Sequence, residues 1–123
     1  MTAPTDGVTV LVVDDSEDQR MLLRRYFEKA GCAVVVAATA EEAIVACEQR
    51  VPDLIVIDLL LPGIDGWDLA ARLGEQYPTS AIAITSVLDP EDYPESHATM
   101  PKPVSGDDVR RVLREHVPKW TDR

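Results

Sequence analysis

The sequence predicts an α/β domain, a doubly wound five-stranded parallel sheet with helices on both faces. Two observations predict it. Short apolar runs recur and stop abruptly at polar residues, as strands buried on both faces of a parallel sheet do. Between them lie segments whose apolar residues repeat at helical spacing, and strands alternating with helices wind right-handedly into such a sheet. A length of 123 residues suits one compact domain of the usual size, about 100 to 200 residues, and 46% apolar composition is enough to build its core.

The elements follow in order. Val8 to Val13 is β-branched and apolar and is stopped by Asp14 and Asp15, which marks the central first strand. Ser16 to Ala30 carries Met21, Leu22, Leu23, Tyr26, Phe27 and Ala30 at helical spacing, with Gly31 suited to end the helix. Ala33 to Ala37 is a short second strand, and Thr39-Ala-Glu-Glu42 is a capping box opening a helix that runs to about Gln49. Leu54 to Ile57 repeats the first strand's pattern and ends at Asp58. After a loop to Asp65, Gly66 to Gln76 forms a third helix, with Trp67 as a partly buried anchor, and Ala81 to Ile84 a fourth strand ending at Thr85. Pro90 and Pro94 forbid a regular long helix between Val87 and His97, because proline removes an amide donor and clashes with the preceding turn. The fourth helix is therefore expected to be shortened or missing. His97 to Met100 is a short fifth strand, Ser105 caps a final helix with Val109, Val112, Leu113 and Val117 on one face, and residues 1–6 and 119–123 are expected to fray.

Composition narrows the function. A formal net charge of −10 opposes direct contact with nucleic acid or anionic membrane, since both need clustered Lys and Arg. No apolar run reaches the roughly 18 residues of a membrane span, and the first residues lack the basic and apolar regions of a signal peptide, so a cytoplasmic location is expected. Cys32 and Cys47 then read as free, buried thiols.

Ligands of open α/β sheets bind beyond the carboxyl ends of the strands, and Asp14, Asp15, Asp58, Thr85 and Lys102 all fall there. Three carboxylates at one edge repel each other unless a cation neutralises them, and an open acidic crevice suits Mg2+ (or Mn2+), which favours one or two carboxylates plus waters and phosphate oxygens. Asp58 would be a carboxylate nucleophile for an in-line phosphoryl transfer, with the Lys102 ammonium and the Thr85 hydroxyl holding phosphoryl oxygens. An acid after a strand is by itself more often a turn former or cap; the weight lies in five polar groups from four strand ends meeting at one edge. Asp65 and Asp107 read as solvated caps, His97 and His116 as surface or structural residues, and Arg20, Arg24 and Arg25 as a solvated helix face that could also dock a partner.

These residues resemble the response regulator receiver domains of two-component signalling. Val-Val-Asp14-Asp15 is similar to that family's acidic pair, Asp58-Leu-Leu-Leu-Pro62-Gly63-Ile-Asp65-Gly66 to its phosphoacceptor loop, Thr85-Ser86 to its switch hydroxyl and following small residue, and Lys102-Pro103 to its lysine and proline. The resemblance spans nearly the whole chain as one receiver domain, 1–123. It implies the flavodoxin-like strand order 2-1-3-4-5. It also implies phosphorylation of Asp58 by a sensor histidine kinase or histidine phosphotransfer protein, with the ion on Asp15, Asp58 and the Leu60 backbone carbonyl, and Asp14 acting through water. A Lys102-Pro103 cis peptide is common in the family.

Two departures bear on the switch. The family's aromatic residue three positions before the lysine is Thr99 here, and the stretch from Thr85 to Lys102 is short, so the loop Val87 to Ser96 is expected to carry the response by ordering and disordering. Leu60 and Val87, at positions that flank the attacking water in the family, are apolar, which implies a long-lived phosphoryl group. The function expected is a phosphoacceptor switch acting on a downstream protein target, monomeric or weakly dimeric, catalysing only its own phosphorylation and slow dephosphorylation. A non-switching pseudo-receiver scaffold for protein–protein interaction is the alternative. An aspartyl phosphohydrolase is disfavoured, because Leu60 stands where such enzymes carry a second acid.

Overall fold

The computed structural model describes residues 7–61, 63, 65–88, 91 and 98–121. The chain runs β1 (Thr9–Val13), α1 (Glu17–Lys29), β2 (Ala33–Ala37), α2 (Ala40–Gln49), β3 (Leu54–Asp58), α3 (Gly66–Gln76), β4 (Ala81–Thr85), β5 (Ala98–Thr99) and α4 (Gly106–His116). The strands form one sheet in the order β2-β1-β3-β4-β5, with every neighbouring pair parallel. The predicted doubly wound fold and strand order are both present.

Alternation along the strands divides the core in two. Val10, Val12, Leu54 and Val56 pack with Leu23 and Phe27 of α1 and with Val109, Val112 and Leu113 of α4. Their strand neighbours Leu11, Val13, Ile55 and Ile57 turn to the opposite face, against Ala40, Ala43 and Cys47 of α2 and Leu69 and Leu73 of α3, with Trp67 partly buried at the margin. A residue period of two along the strands requires this split, and it sandwiches β1, β3 and β4 so that every residue in them is buried. Both cysteines are free and buried.

Caps end the helices where the sequence places them. Ser16 accepts from the Gln19 amide at α1, and Gly31, at φ 89°, takes the left-handed conformation that follows the helix. At α2, Thr39 accepts from the Glu42 amide at 3.1 Å, but the Glu42 carboxylate reaches the Ala38 amide (2.9 Å) and not the cap's own. Asp65 caps α3 as expected. At α4 the capping box pairs Ser105 with Asp108, so Asp107 is a first-turn acid and not the cap.

Three expectations change. β5 is two residues long, Ala98–Thr99; His97 lies outside the described residues, as does most of the loop from Val87 to Ser96, and among the described residues no α-helix stands between β4 and β5, as expected, with Glu91 in a 3-10 turn. Fraying does not reach Trp120: the residue is 9% exposed, its indole N–H donates to the Ala30 carbonyl at 2.8 Å, and Arg110 lies over its face. An aromatic side chain of this size buries enough apolar area to hold a short tail. Met21, counted with the apolar face of α1, is instead exposed. Residues 1–6, 122 and 123 are outside the described set.

Candidate functional site

The site forms where β1, β3 and β4 end together. Parallel register sets Val13 beside Ile57 and Asp58 beside Thr85, so the acids that follow β1 and close β3 emerge at one edge. Oxygen atoms of Asp14, Asp15 and Asp58 lie within 4.8 Å of one another. Asp14 and Asp58 are buried and Asp15 is exposed, which leaves the cluster open on one side.

Lys102 enters from beyond β5. Its backbone amide bonds the Ser86 carbonyl at 3.0 Å, and the Lys102–Pro103 peptide is cis, as the resemblance implied. The ammonium donates to Asp58 Oδ2 at 3.0 Å and lies 3.2 Å from Asp14 Oδ2. The second contact is ionic without the geometry of a hydrogen bond, so Asp14 Oδ2 is buried with no donor. The Thr85 hydroxyl is likewise buried with no partner. Buried polar atoms are rarely left so, and both orphans stand at the strand edge that also carries Asp58.

Charge and burial pull against each other here. Burial is the largest influence on Asp14 and raises its carboxyl above the usual range, aided by the Asp58 charge; the Ser16 amide and Lys102 oppose it but do not prevail. For Lys102, burial would lower the ammonium, but the hydrogen bond to Asp58 and the charges of Asp14 and Asp58 together outweigh it and raise it. Three hard oxygen donors, one of them buried without a donor of its own, fit a hard divalent cation, which would relieve this crowding.

Several contacts were not legible in advance. The Ser16 amide donates to Asp14 Oδ1 at 2.9 Å. Arg20, read as part of a solvated face, donates from Nη1 to the Asp14 carbonyl at 2.8 Å. The Leu60 amide donates to Asp58 Oδ1 at 3.0 Å. Gly66 starts α3 so close to the Asp58 turn that an added Cβ would run into the Asp58 carbonyl oxygen and Leu59 Cα. A glycine opening a helix just after an acidic loop was the available signal for the last of these.

The predicted switch positions are spread out. Leu60 and Val87 are exposed at the rim, at 49% and 71%. Thr99 is half-buried, and its carbonyl accepts from Arg111 at 3.2 Å. His116 lies half-buried beside Glu115, away from the acids.

Comparisons with known proteins agree with this geometry. Residues 10–114 match the family model described as response regulator receiver domain. An uncharacterised 14.6 kDa protein of Leptolyngbya boryana is 42% identical over 68% of this chain and 66% of its own length. The alkaline phosphatase synthesis transcriptional regulatory protein PhoP of Bacillus subtilis is 38% identical over 67% of this chain and 34% of its own. Across these and two methylesterase relatives the chain spans 22% to 66% of the relative's length. A putative response regulator from Chloroflexus aurantiacus superimposes with a TM-score of 0.79 at 30% identity, covering 88% of this chain and 96% of the other. The chain belongs to the family of response regulator receiver domains.

Proposed function

We propose that the protein is a phosphorylation switch whose Asp58 carboxylate accepts a phosphoryl group from a histidine kinase or histidine phosphotransfer protein. The observation that carries this reading is the Lys102 ammonium held between Asp58 Oδ2 and Asp14 Oδ2, at 3.0 and 3.2 Å. In the transfer, an Asp58 oxygen attacks phosphorus, the bond from phosphorus to the donor nitrogen breaks, and the proton needed by the leaving imidazole comes from the donor side. The product is an acyl phosphate. Its new negative charge falls beside the Lys102 ammonium, which Asp58 and Asp14 hold against the pull of burial, and near the Thr85 hydroxyl.

Asp15 and Asp58 would hold Mg2+ or Mn2+, with the Leu60 carbonyl as a third ligand and Asp14 acting through water. The ion would supply positive charge to phosphoryl oxygens that otherwise meet three carboxylates. Asp14 would take the indirect part that the resemblance implies, with its Oδ1 kept on the Ser16 amide. The reading assigns the response to the segment after β4, with Thr85, Val87 and Thr99 along it, and places the protein in the cytoplasm with a downstream protein as target. It is a signalling domain and not a metabolic enzyme.

The test is intact-mass measurement after incubation with acetyl phosphate, in Mg2+ and in EDTA. The parent protein should gain one phosphoryl group in Mg2+ only, and Asp58→Asn none. An unlabelled parent would favour a non-switching scaffold instead.

A further inference from the structure

The Asp14–Asp15 turn is fixed at three points, and the third is unusual. The Asp14 amide bonds the Ala37 carbonyl at 3.1 Å, and its side chain takes the Ser16 amide at 2.9 Å. Its carbonyl, the oxygen of the peptide that leads into Asp15, is held by Arg20 Nη1 at 2.8 Å. Arg20 stands one turn into α1 and is half-buried, and α1 is anchored in the core by Leu23 and Phe27. A planar peptide leaves few soft angles, so fixing this carbonyl fixes the peptide plane from which the exposed Asp15 side chain departs.

We propose that Arg20 is a positioning residue for the divalent-cation site, aligning the Asp14–Asp15 peptide so that the Asp15 carboxylate meets the ion. This rests on the cation-binding reading above. Charge alone predicts the opposite sign: a guanidinium bonded to the Asp14 carbonyl repels a divalent cation at the adjoining acids, so removing it as a charge would tighten binding. Positioning predicts that removal weakens binding, as loss of contacts that orient ligands does, typically by about 10- to 100-fold.

Mg2+ binding to the whole chain, measured by calorimetry on Arg20→Met and Arg20→Lys after circular dichroism confirms folding, decides between them. Arg20→Met should bind Mg2+ about tenfold more weakly, with Arg20→Lys, which keeps one donor, recovering part of the loss. Unchanged or tighter binding in Arg20→Met overturns the proposal. If Arg20→Met fails to fold, Arg20→Lys alone decides it: weaker binding supports the proposal and unchanged binding overturns it. Absence of Mg2+ binding in the parent protein would overturn the cation reading itself, which keeps the two failures distinct.

Discussion

Neutralising Asp14 should make the metal-free protein more stable. Asn at this position keeps the shape and the Oδ1 acceptor for the Ser16 amide while removing a fully buried charge. At an effective dielectric constant of about 20, the contact with Lys102 at 3.2 Å is worth about 5 kcal/mol and repulsion from Asp58 at up to 4.8 Å about 3.5 kcal/mol. The balance of those two favours aspartate by only about 1.5 kcal/mol. Withdrawing the carboxylate from water costs several kcal/mol per ion, so burial decides the sign, in agreement with the raised Asp14 carboxyl.

Asp14→Asn should therefore gain about 2 kcal/mol in EDTA at pH 7, or roughly 6–10 °C in Tm for a domain of this size. Because the folded state holds the Asp14 proton more tightly than the unfolded chain, this group's contribution is favourable at low pH and is lost as pH rises from its ordinary 3.8 through the raised value. The advantage of the variant should shrink as pH falls through the raised value toward 3.8. Mg2+ should also narrow it, since a ligand of the folded state adds stability by mass action to the protein that binds it better. Urea denaturation across pH, in EDTA and in Mg2+, reads all three. A variant less stable than the parent in EDTA, or a gap independent of pH, would mean that burial of the Asp14 charge does not decide the sign.

Lys102→Met strands two buried carboxylates and should cost about 3 kcal/mol in EDTA, read by the same denaturation; the parent should lose this pairing as pH climbs past 10.5 through the raised Lys102 pKa. Adding Asp14→Asn to Lys102→Met should restore part of the loss. Gly66→Ala must displace backbone, since the new Cβ would meet the Asp58 carbonyl oxygen and Leu59 Cα, and should cost about 1–3 kcal/mol while slowing phosphoryl labelling in Mg2+. Trp120→Ala removes a buried ring and the bond to Ala30 and should cost about 3 kcal/mol by thermal melting; a cost near zero would return residue 120 to a frayed tail. With the exposed apolar side chains of Leu60 and Val87 at the rim, labelled protein freed of donor should keep its phosphoryl group for longer than minutes by intact mass, and a lifetime of seconds would contradict this.

The fold was legible because its signals are periodic and local. The runs at Val8, Leu54 and Ala81 leave no polar face, which only strands covered on both sides tolerate, and Ser16, Thr39 and Ser105 mark helix starts by side-chain chemistry. The gathering of Asp14, Asp58, Thr85 and Lys102 followed from topology, since parallel strands bring their carboxyl ends to one edge. What stayed hidden was long-range or geometric. Arg20 on the Asp14 carbonyl looks like any arginine on a helix surface, and Trp120 meets Ala30 across 90 residues of chain. Edge exposure of Met21, Val35 and Val36 depends on which strand closes the sheet, a fact that no hydrophobic pattern encodes. Asp108 displaced Asp107 as the capping partner because only the third residue after Ser105 reaches back to its amide.

Phosphorylation of Asp58 makes a covalent bond at one side chain, and an acyl phosphate can be trapped where it forms. Borohydride reduces the activated carboxyl of an aspartyl phosphate to an alcohol, releasing phosphate and leaving homoserine, while free carboxylates do not react. Peptide sequencing by mass spectrometry after acetyl phosphate, Mg2+ and borohydride should find homoserine at position 58 and aspartate at 14, 15, 53 and 65. Homoserine at another of these positions, or at none, would rule out Asp58 as the phosphoacceptor.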